Sequence, residues 1–367
     1  MNALNSNNTR NYGIDLLRIL SMFMICILHT LNKGSLEAPA FSAIYETSWF
    51  IECFSIGAVN IYALISGYVG LNSRHKYSNI VMLWLQVAFY SVLFTLLSLI
   101  IGKENIGIKD IIGSLLPVSF SKYWFFTAYF ALFFISPFLN TLIKKLEKKE
   151  TENLLVICVV LFSLMPTFLL RDMFHIKAGY GFVWLAVLYI FGAYIKQYNP
   201  FEKLKTHTAA ILYFGSSVLA FASKSVIEFA TTKILGHSVY GNLLISYISP
   251  TILFSAIMLL VVFSRIKPKF VKLIKIATPL VFGIYIIHEN EHIRPVLKEL
   301  LEPITSLPVY IFPFAVIGIG LCIFIACITI EYARYNLFKL LKIKNLVDLT
   351  GGFLTKKIKN LSYFNKD

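Results

Sequence analysis

Long apolar stretches of about twenty residues, separated by short charged segments, repeat along most of the chain. An α-helix needs about this length to cross a hydrocarbon layer roughly 30 Å thick. The pattern therefore predicts an all-α fold, a polytopic membrane bundle of about ten transmembrane helices. The predicted spans are 13–31, 51–70, 78–101, 123–143, 153–170, 180–195, 208–223, 242–263, 274–290 and 308–330.

The composition agrees with a membrane protein and excludes a soluble enzyme. Apolar residues make up 57% of the 367 residues and charged residues 14%, and the mean hydropathy is +0.71. Ordinary soluble domains are about 45–50% apolar and about 25% charged. Too few ionisable groups remain here to cover a water-facing surface.

The basic residues sort to one side of the predicted membrane. The net charge is +15, and 23 of the 34 Lys and Arg residues fall in segments on the side of the N-terminus, against 10 on the other side. Both termini are therefore expected in the cytoplasm, in a multi-pass protein of the cytoplasmic membrane. Anionic lipid accounts for the basic excess, so no nucleic-acid partner is expected. The expected domains are an integral-membrane domain, 1–340, and a basic cytoplasmic tail, 341–367.

The first apolar stretch contains Asp15, Arg18 and His29. Arg18 and His29 are eleven positions apart, which on a helix gives an angular offset of about 20° and a rise of about 16 Å. Asp15 precedes Arg18 by three residues, close enough for an ion pair that lowers the cost of Arg18 near the inner boundary. One helix face is therefore expected to carry a cation near the cytoplasm and an imidazole farther out.

This pair suits transfer of an acyl group from a phosphate-bearing donor. The planar, permanently charged guanidinium of Arg18 binds phosphate well. The imidazole of His29 can take a proton from a hydroxyl that attacks a thioester, or can itself accept the acyl group. The alternative is that Arg18 only reaches the inner interface and His29 only hydrogen-bonds within the bundle.

Four motifs in the same order resemble the acyltransferase-3 family of integral-membrane acyltransferases, over about residues 12 to 340. The first is the Arg-x10-His spacing of Arg18 and His29. The others comprise Tyr62, Ser66, Gly67 and Tyr68; then Trp124, Phe125, Tyr129, Pro137 and Asn140; and finally Phe282, Gly283, Tyr285 and His288.

This resemblance implies transfer of an acyl group, most often acetyl from acetyl-CoA, to a hydroxyl of a cell-surface carbohydrate or a related lipid-linked molecule. It implies a catalytic role for His29 and a donor-binding role for Arg18. Asp15, which is expected to pair with Arg18, and Arg74, in a region after the second span that often carries more basic residues in the family, are further candidates for the donor site. No metal is expected. Some family members carry a C-terminal extracytoplasmic hydrolase-like domain, which we do not expect here.

Further polar and aromatic residues are candidates for the same site. His288 and Glu289 are candidates for a second acid/base pair or an acceptor-binding group, although outer-interface polar residues often only contact water. Candidate substrate-binding residues are Ser66, Trp124, Tyr129 and Tyr285. An interfacial aromatic belt is an alternative explanation for Trp124, and helix packing is one for Ser66.

Two other classes of function remain open at this point. Ten spans with scattered aromatic residues are compatible with a transporter or flippase for a saccharide or lipid-linked sugar, although the two halves of the chain show no matched repeat. A ligand-sensing membrane domain without chemistry is the other alternative. Transfer of labelled acetyl from acetyl-CoA to acceptor material distinguishes an acyltransferase from both. The acceptor, the acyl group and the oligomeric state are not determined by the sequence.

Overall fold

The computed structural model describes residues 10–102 and 106–360, and these residues form α-helices joined by short turns, with no strand among them. The α-helices are α1 Tyr12–Leu36, α2 Ala43–Ser55, α3 Ala58–Gly70, α4 Tyr77–Ile101, α5 Ile108–Leu115, α6 Trp124–Lys145, α7 Lys148–Val159, α8 Met165–Leu169, α9 Phe182–Tyr198, α10 Thr206–Leu235, α11 Pro250–Arg265, α12 Val271–Ala277, α13 Val281–His288, α14 Arg294–Leu301, α15 Phe312–Leu340 and α16 Ile343–Asn360.

The all-α polytopic bundle is confirmed. Eight helical segments of the described chain are long and apolar enough to cross a membrane. Two shorter apolar helices, α9 and α11, occupy the sixth and eighth predicted spans. Large apolar side chains cover the outside of the bundle, as lipid-facing residues do; Ile100, Ile234 and Leu340 are each 79% exposed.

Several spans are longer in the structure than the sequence indicated, the second and the seventh among them. The second begins at Ala43 rather than residue 51 and is interrupted between α2 and α3. The seventh continues to Leu235 rather than stopping at residue 223. In both cases the apolar pattern is broken by charged residues inside the helix. Lys224, which the sequence indicated as a loop residue, is fully buried within α10 and paired with Glu228.

Close packing of α3 against α9 depends on two glycines. A Cβ atom on Gly67 would lie 1.9 Å from the carbonyl oxygen of Tyr189, and one on Gly192 would lie 1.9 Å from that of Leu64. Small residues let membrane helices approach until their backbones touch. Gly67, one of the motif residues, therefore serves helix packing.

The segments rich in Lys and Arg meet at one end of the bundle, which we call the basic end; the opposite end is the far end. Asn11 donates to the carbonyl of Ser264 at 2.7 Å. The guanidinium of Arg265 donates to the carbonyls of Phe201 and Leu204. Segments that the sequence predicted on one side of the membrane thus contact each other directly. Of the predicted tail, residues 361–367 lie outside the described residues.

Candidate active site

His29 and His288 meet inside the bundle through their ring nitrogens. Nδ1 of His29 lies 2.7 Å from Nε2 of His288, and Glu289 Oε1 lies 3.4 Å from the same Nδ1. His288 is 1% exposed, whereas the His29 side chain is 35% exposed. Helices α1 and α13 therefore bring three of the sequence-predicted site residues together.

The hydrogen bonds around His288 determine which nitrogen of His29 is available for chemistry. Nδ1 of His288 lies 2.6 Å from the carbonyl oxygen of Ile284, which can only accept, so this Nδ1 carries the proton. The Nε2 of a neutral His288 then accepts from the Nδ1–H of His29. The lone pair of His29 is left on Nε2. This is the arrangement of a general base that is oriented by a second residue.

Glu289 is placed to compensate positive charge on His29. Its second carboxylate oxygen lies 3.9 Å from the guanidinium of Arg294. Burial raises the pKa of the Glu289 carboxyl above its usual range, and the nearby His288 and Arg294 oppose that shift. The segment after Glu289 is fixed by Asn290, whose side-chain amide donates to the hydroxyl of Tyr123 at 2.8 Å.

The same three residues offer possible metal-ligand atoms within 4.8 Å of one another. Two nitrogens bound to a tetrahedral zinc ion, each about 2.0–2.1 Å from it, lie about 3.4 Å apart. The nitrogens of His29 and His288 are 2.7 Å apart, which fits a hydrogen bond and is too short for two ligands of one ion.

Arg18 lies at the basic end of the same helix, in a separate cavity of about 180 Å³. Its guanidinium is 3.4 Å from Asp15, which also accepts from Arg10 at 2.5 Å. The cavity is lined by further basic residues, Arg74, His75 and Lys76. The structure thus places Arg18 and Arg74 in the same cavity, and Asp15 forms an ion pair with Arg18.

A smaller cavity of about 40 Å³ contains His29. Helices α1, α3 and α6 line both this cavity and the one at Arg18, so the two cavities lie one after the other along these helices, and we call this row of two cavities the groove. The Tyr62 hydroxyl joins two of these helices between the cavities, because it donates to the carbonyl of Arg18 at 2.8 Å. The residues lining the Arg18 cavity include Ser66 and Tyr129, and those lining the His29 cavity include Tyr62 and Phe125.

The four predicted substrate-binding residues separate into two pairs. Trp124 and Tyr285 line the cavity of His29. Ser66 and Tyr129 line the cavity of Arg18. Tyr247 also lines the His29 cavity, and sequence reasoning missed it because no motif distinguishes it from the other tyrosines of the chain.

Comparison with known families decides the class of chemistry. A family model described as an acyltransferase domain matches residues 11–331. The chain belongs to the acyltransferase-3 family. No match to a curated protein or to a solved structure was found. Because the match spans α1 to α15, it includes the whole groove from Arg18 to His29 and the histidine pair.

Gly283, the glycine of the last motif, is required in this acyltransferase by the packing of α13 against Glu331. A Cβ atom on Gly283 would lie 2.3 Å from the carboxyl carbon of Glu331, so only glycine leaves room for that side chain. Glu331 is fully buried and accepts from Gln86, Tyr90 and Arg334. This network ties α13, which carries His288, to α4 and α15.

Proposed function

We propose that this acyltransferase moves an acetyl or other short acyl group from cytoplasmic acetyl-CoA to a hydroxyl of a cell-surface or lipid-linked carbohydrate. The observation that carries the proposal is the groove with Arg18 at the basic end and His29 farther along, where His29 is held by His288. In this proposal the basic end faces the cytoplasm, as the charge distribution predicts.

The donor would bind with its phosphates at the basic end. Arg18, Arg74 and Lys76 line one cavity there, and converging cations are what a multiply charged phosphate head requires. The rise from Arg18 to His29 is about 16 Å along α1. A long, thin arm bearing a thioester is the form of donor that fits a site with its charges at one end and its base at the other.

His29 would act as the general base for the acceptor hydroxyl. Its Nε2 takes the hydroxyl proton while the hydroxyl oxygen forms a bond to the thioester carbonyl carbon. The carbon–sulfur bond then breaks, and the sulfur leaves with the proton from His29, giving an ester and the free thiol. His288 holds the ring through Nδ1, and Glu289 stabilises the imidazolium that forms between the two proton transfers.

The small cavity at His29 favours a short acyl group. Its volume of about 40 Å³ is less than a quarter of the 180 Å³ of the Arg18 cavity. Trp124 and Tyr285 in its wall offer flat apolar surfaces for a sugar ring. A long fatty acyl chain has no comparable space there.

A labelling experiment tests the proposal. Cells with and without the gene are compared by NMR for O-acetyl signals in surface polysaccharide, and membranes from both are given [¹⁴C]acetyl-CoA. We expect label in saccharide material with the wild-type protein and none with His29→Ala at equal expression. Movement of unlabelled, unmodified saccharide across the membrane would instead support a transporter.

A further inference from the structure

A third cavity, of about 920 Å³, opens at the far end of the bundle. It is formed by the segment after α1, the segment after α8 and the segment between α10 and α11. It shares no lining residue with the cavities of Arg18 and His29. Its size lies in the upper part of the usual range for ligand sites, about 300–1,000 Å³.

The floor of this cavity combines an aromatic surface with a buried carboxylate. Glu228 in α10 is 4% exposed and accepts from the Tyr45 hydroxyl at 2.8 Å. The ammonium of Lys224 donates to Glu228 at 2.6 Å and lies over the rings of Tyr45 and Trp49. Charged groups inside a membrane helix are expensive and commonly mark functional sites. Glu228, Tyr45 and Trp49 all line the cavity.

Residues 246–248 contribute both to this cavity and to that of His29. Ser246 and Ile248 line the far-end cavity, and Tyr247 between them lines the cavity of His29. The Tyr247 ring packs with those of Tyr180 and Trp124. Tyr247 therefore lies at the boundary between the two cavities.

We infer that the far-end cavity is the acceptor site of the acyltransferase and that it holds a saccharide of more than one ring. Sugar rings stack on Trp49, and their hydroxyls hydrogen-bond to Glu228. Donor and acceptor thus enter from opposite ends and meet at His29. This inference rests on the proposed function.

A matched pair of variants tests the assignment. Asn242→Trp places a large ring in the cavity, whereas His237→Trp places it on an exposed position of the same segment that does not line the cavity. The probes are [¹⁴C]acetyl-CoA and the saccharide fraction extracted from envelopes of cells lacking the gene.

For Asn242→Trp we expect the half-saturating concentration of the saccharide fraction to rise at least ten-fold, with that of acetyl-CoA unchanged. His237→Trp should match the wild type in both values.

If label is transferred and Asn242→Trp also matches the wild type, the cavity assignment is wrong and the proposed function stands. An equal rise in the half-saturating concentrations of both substrates in Asn242→Trp also overturns the assignment, because it indicates a general disturbance of the fold. If the wild-type protein transfers no label, the proposed function fails and the acceptor assignment with it.

Discussion

His29 and His288 are 259 residues apart in the chain and share a hydrogen bond of 2.7 Å. Their roles differ. His29 lines the cavity where donor and acceptor would meet, whereas His288 is buried and holds Nδ1 of His29. The proposed roles are therefore contact with substrate for His29 and positioning of His29 for His288.

The two histidines should differ in how much activity their loss removes. His29→Gln removes the base, and general acid–base catalysis contributes about 10²–10⁴-fold. His288→Gln removes one hydrogen bond to a ring that becomes charged, about 1.5–3 kcal/mol, so we expect a loss of roughly ten-fold to a hundred-fold. Transfer of labelled acetyl by purified protein at saturating substrate measures both.

The exposed His237 provides the control, since His237→Gln should keep wild-type activity. Equal losses in the His29 and His288 variants would contradict the division of roles. In that case His288 would itself have to exchange protons with the substrate.

The basic-end cavity should determine affinity for the donor. Arg18→Lys keeps the charge but loses the planar fork, so we expect the KM for acetyl-CoA to rise about ten-fold with little change in kcat. Lys76→Gln should also raise the KM. Lys203→Gln, an exposed lysine at the same end but outside the cavity, should leave it unchanged. An unaltered KM in Arg18→Lys would remove Arg18 from donor binding.

Glu289 should give the reaction a distinct dependence on pH. Because burial raises the pKa of this carboxyl, it keeps its proton to a higher pH than an ordinary glutamate does. The carboxylate that stabilises charged His29 is therefore present above that raised pKa and lost as the pH falls through it, so kcat should rise with pH across this window.

In Glu289→Gln we expect kcat at neutral pH to fall about ten-fold, the effect of roughly 1.4 kcal/mol. The increase of kcat with pH that comes from ionisation of Glu289 should also disappear. The neighbouring Glu291→Gln is the control, since Glu291 pairs with Lys122 away from His29. A pH–rate profile of Glu289→Gln identical to that of the wild type would show that the carboxylate takes no part.

The contact of α3 with α9 should be intolerant of any added side chain. Gly67→Ala forces a methyl group against the backbone of Tyr189, and such overpacking costs about 1–3 kcal/mol. Gly215→Ala, where nothing lies within 4 Å of the added carbon, should be close to neutral. Thermal unfolding of the detergent-solubilised proteins measures the difference, and equal midpoints would rule out the tight contact.

The sequence predicted the bundle and the shared helix face of Arg18 and His29, because helix periodicity alone relates residues on one helix. It did not predict that Nδ1 of His29 is bound by His288, since contact between α1 and α13 depends on the packing of the whole bundle. For the same reason Ser66 and Tyr129 were grouped with Trp124, although they lie in the Arg18 cavity.

The far-end cavity was missed for another reason. Lys224 and Glu228 end the apolar pattern of the seventh span, so the sequence indicated a loop there. In the structure the two charges pair within α10 and the helix continues. Hydropathy alone cannot distinguish a paired, buried charge from one in water.

The narrow volume around His29, between two wider cavities, also matters for the cell. A wide aqueous channel through the bundle would let protons and ions leak and would dissipate the electrochemical gradient across the membrane. In the proposed reaction, the aromatic rings packed around His29 would let the acyl group pass while its carrier stays inside and the membrane stays sealed.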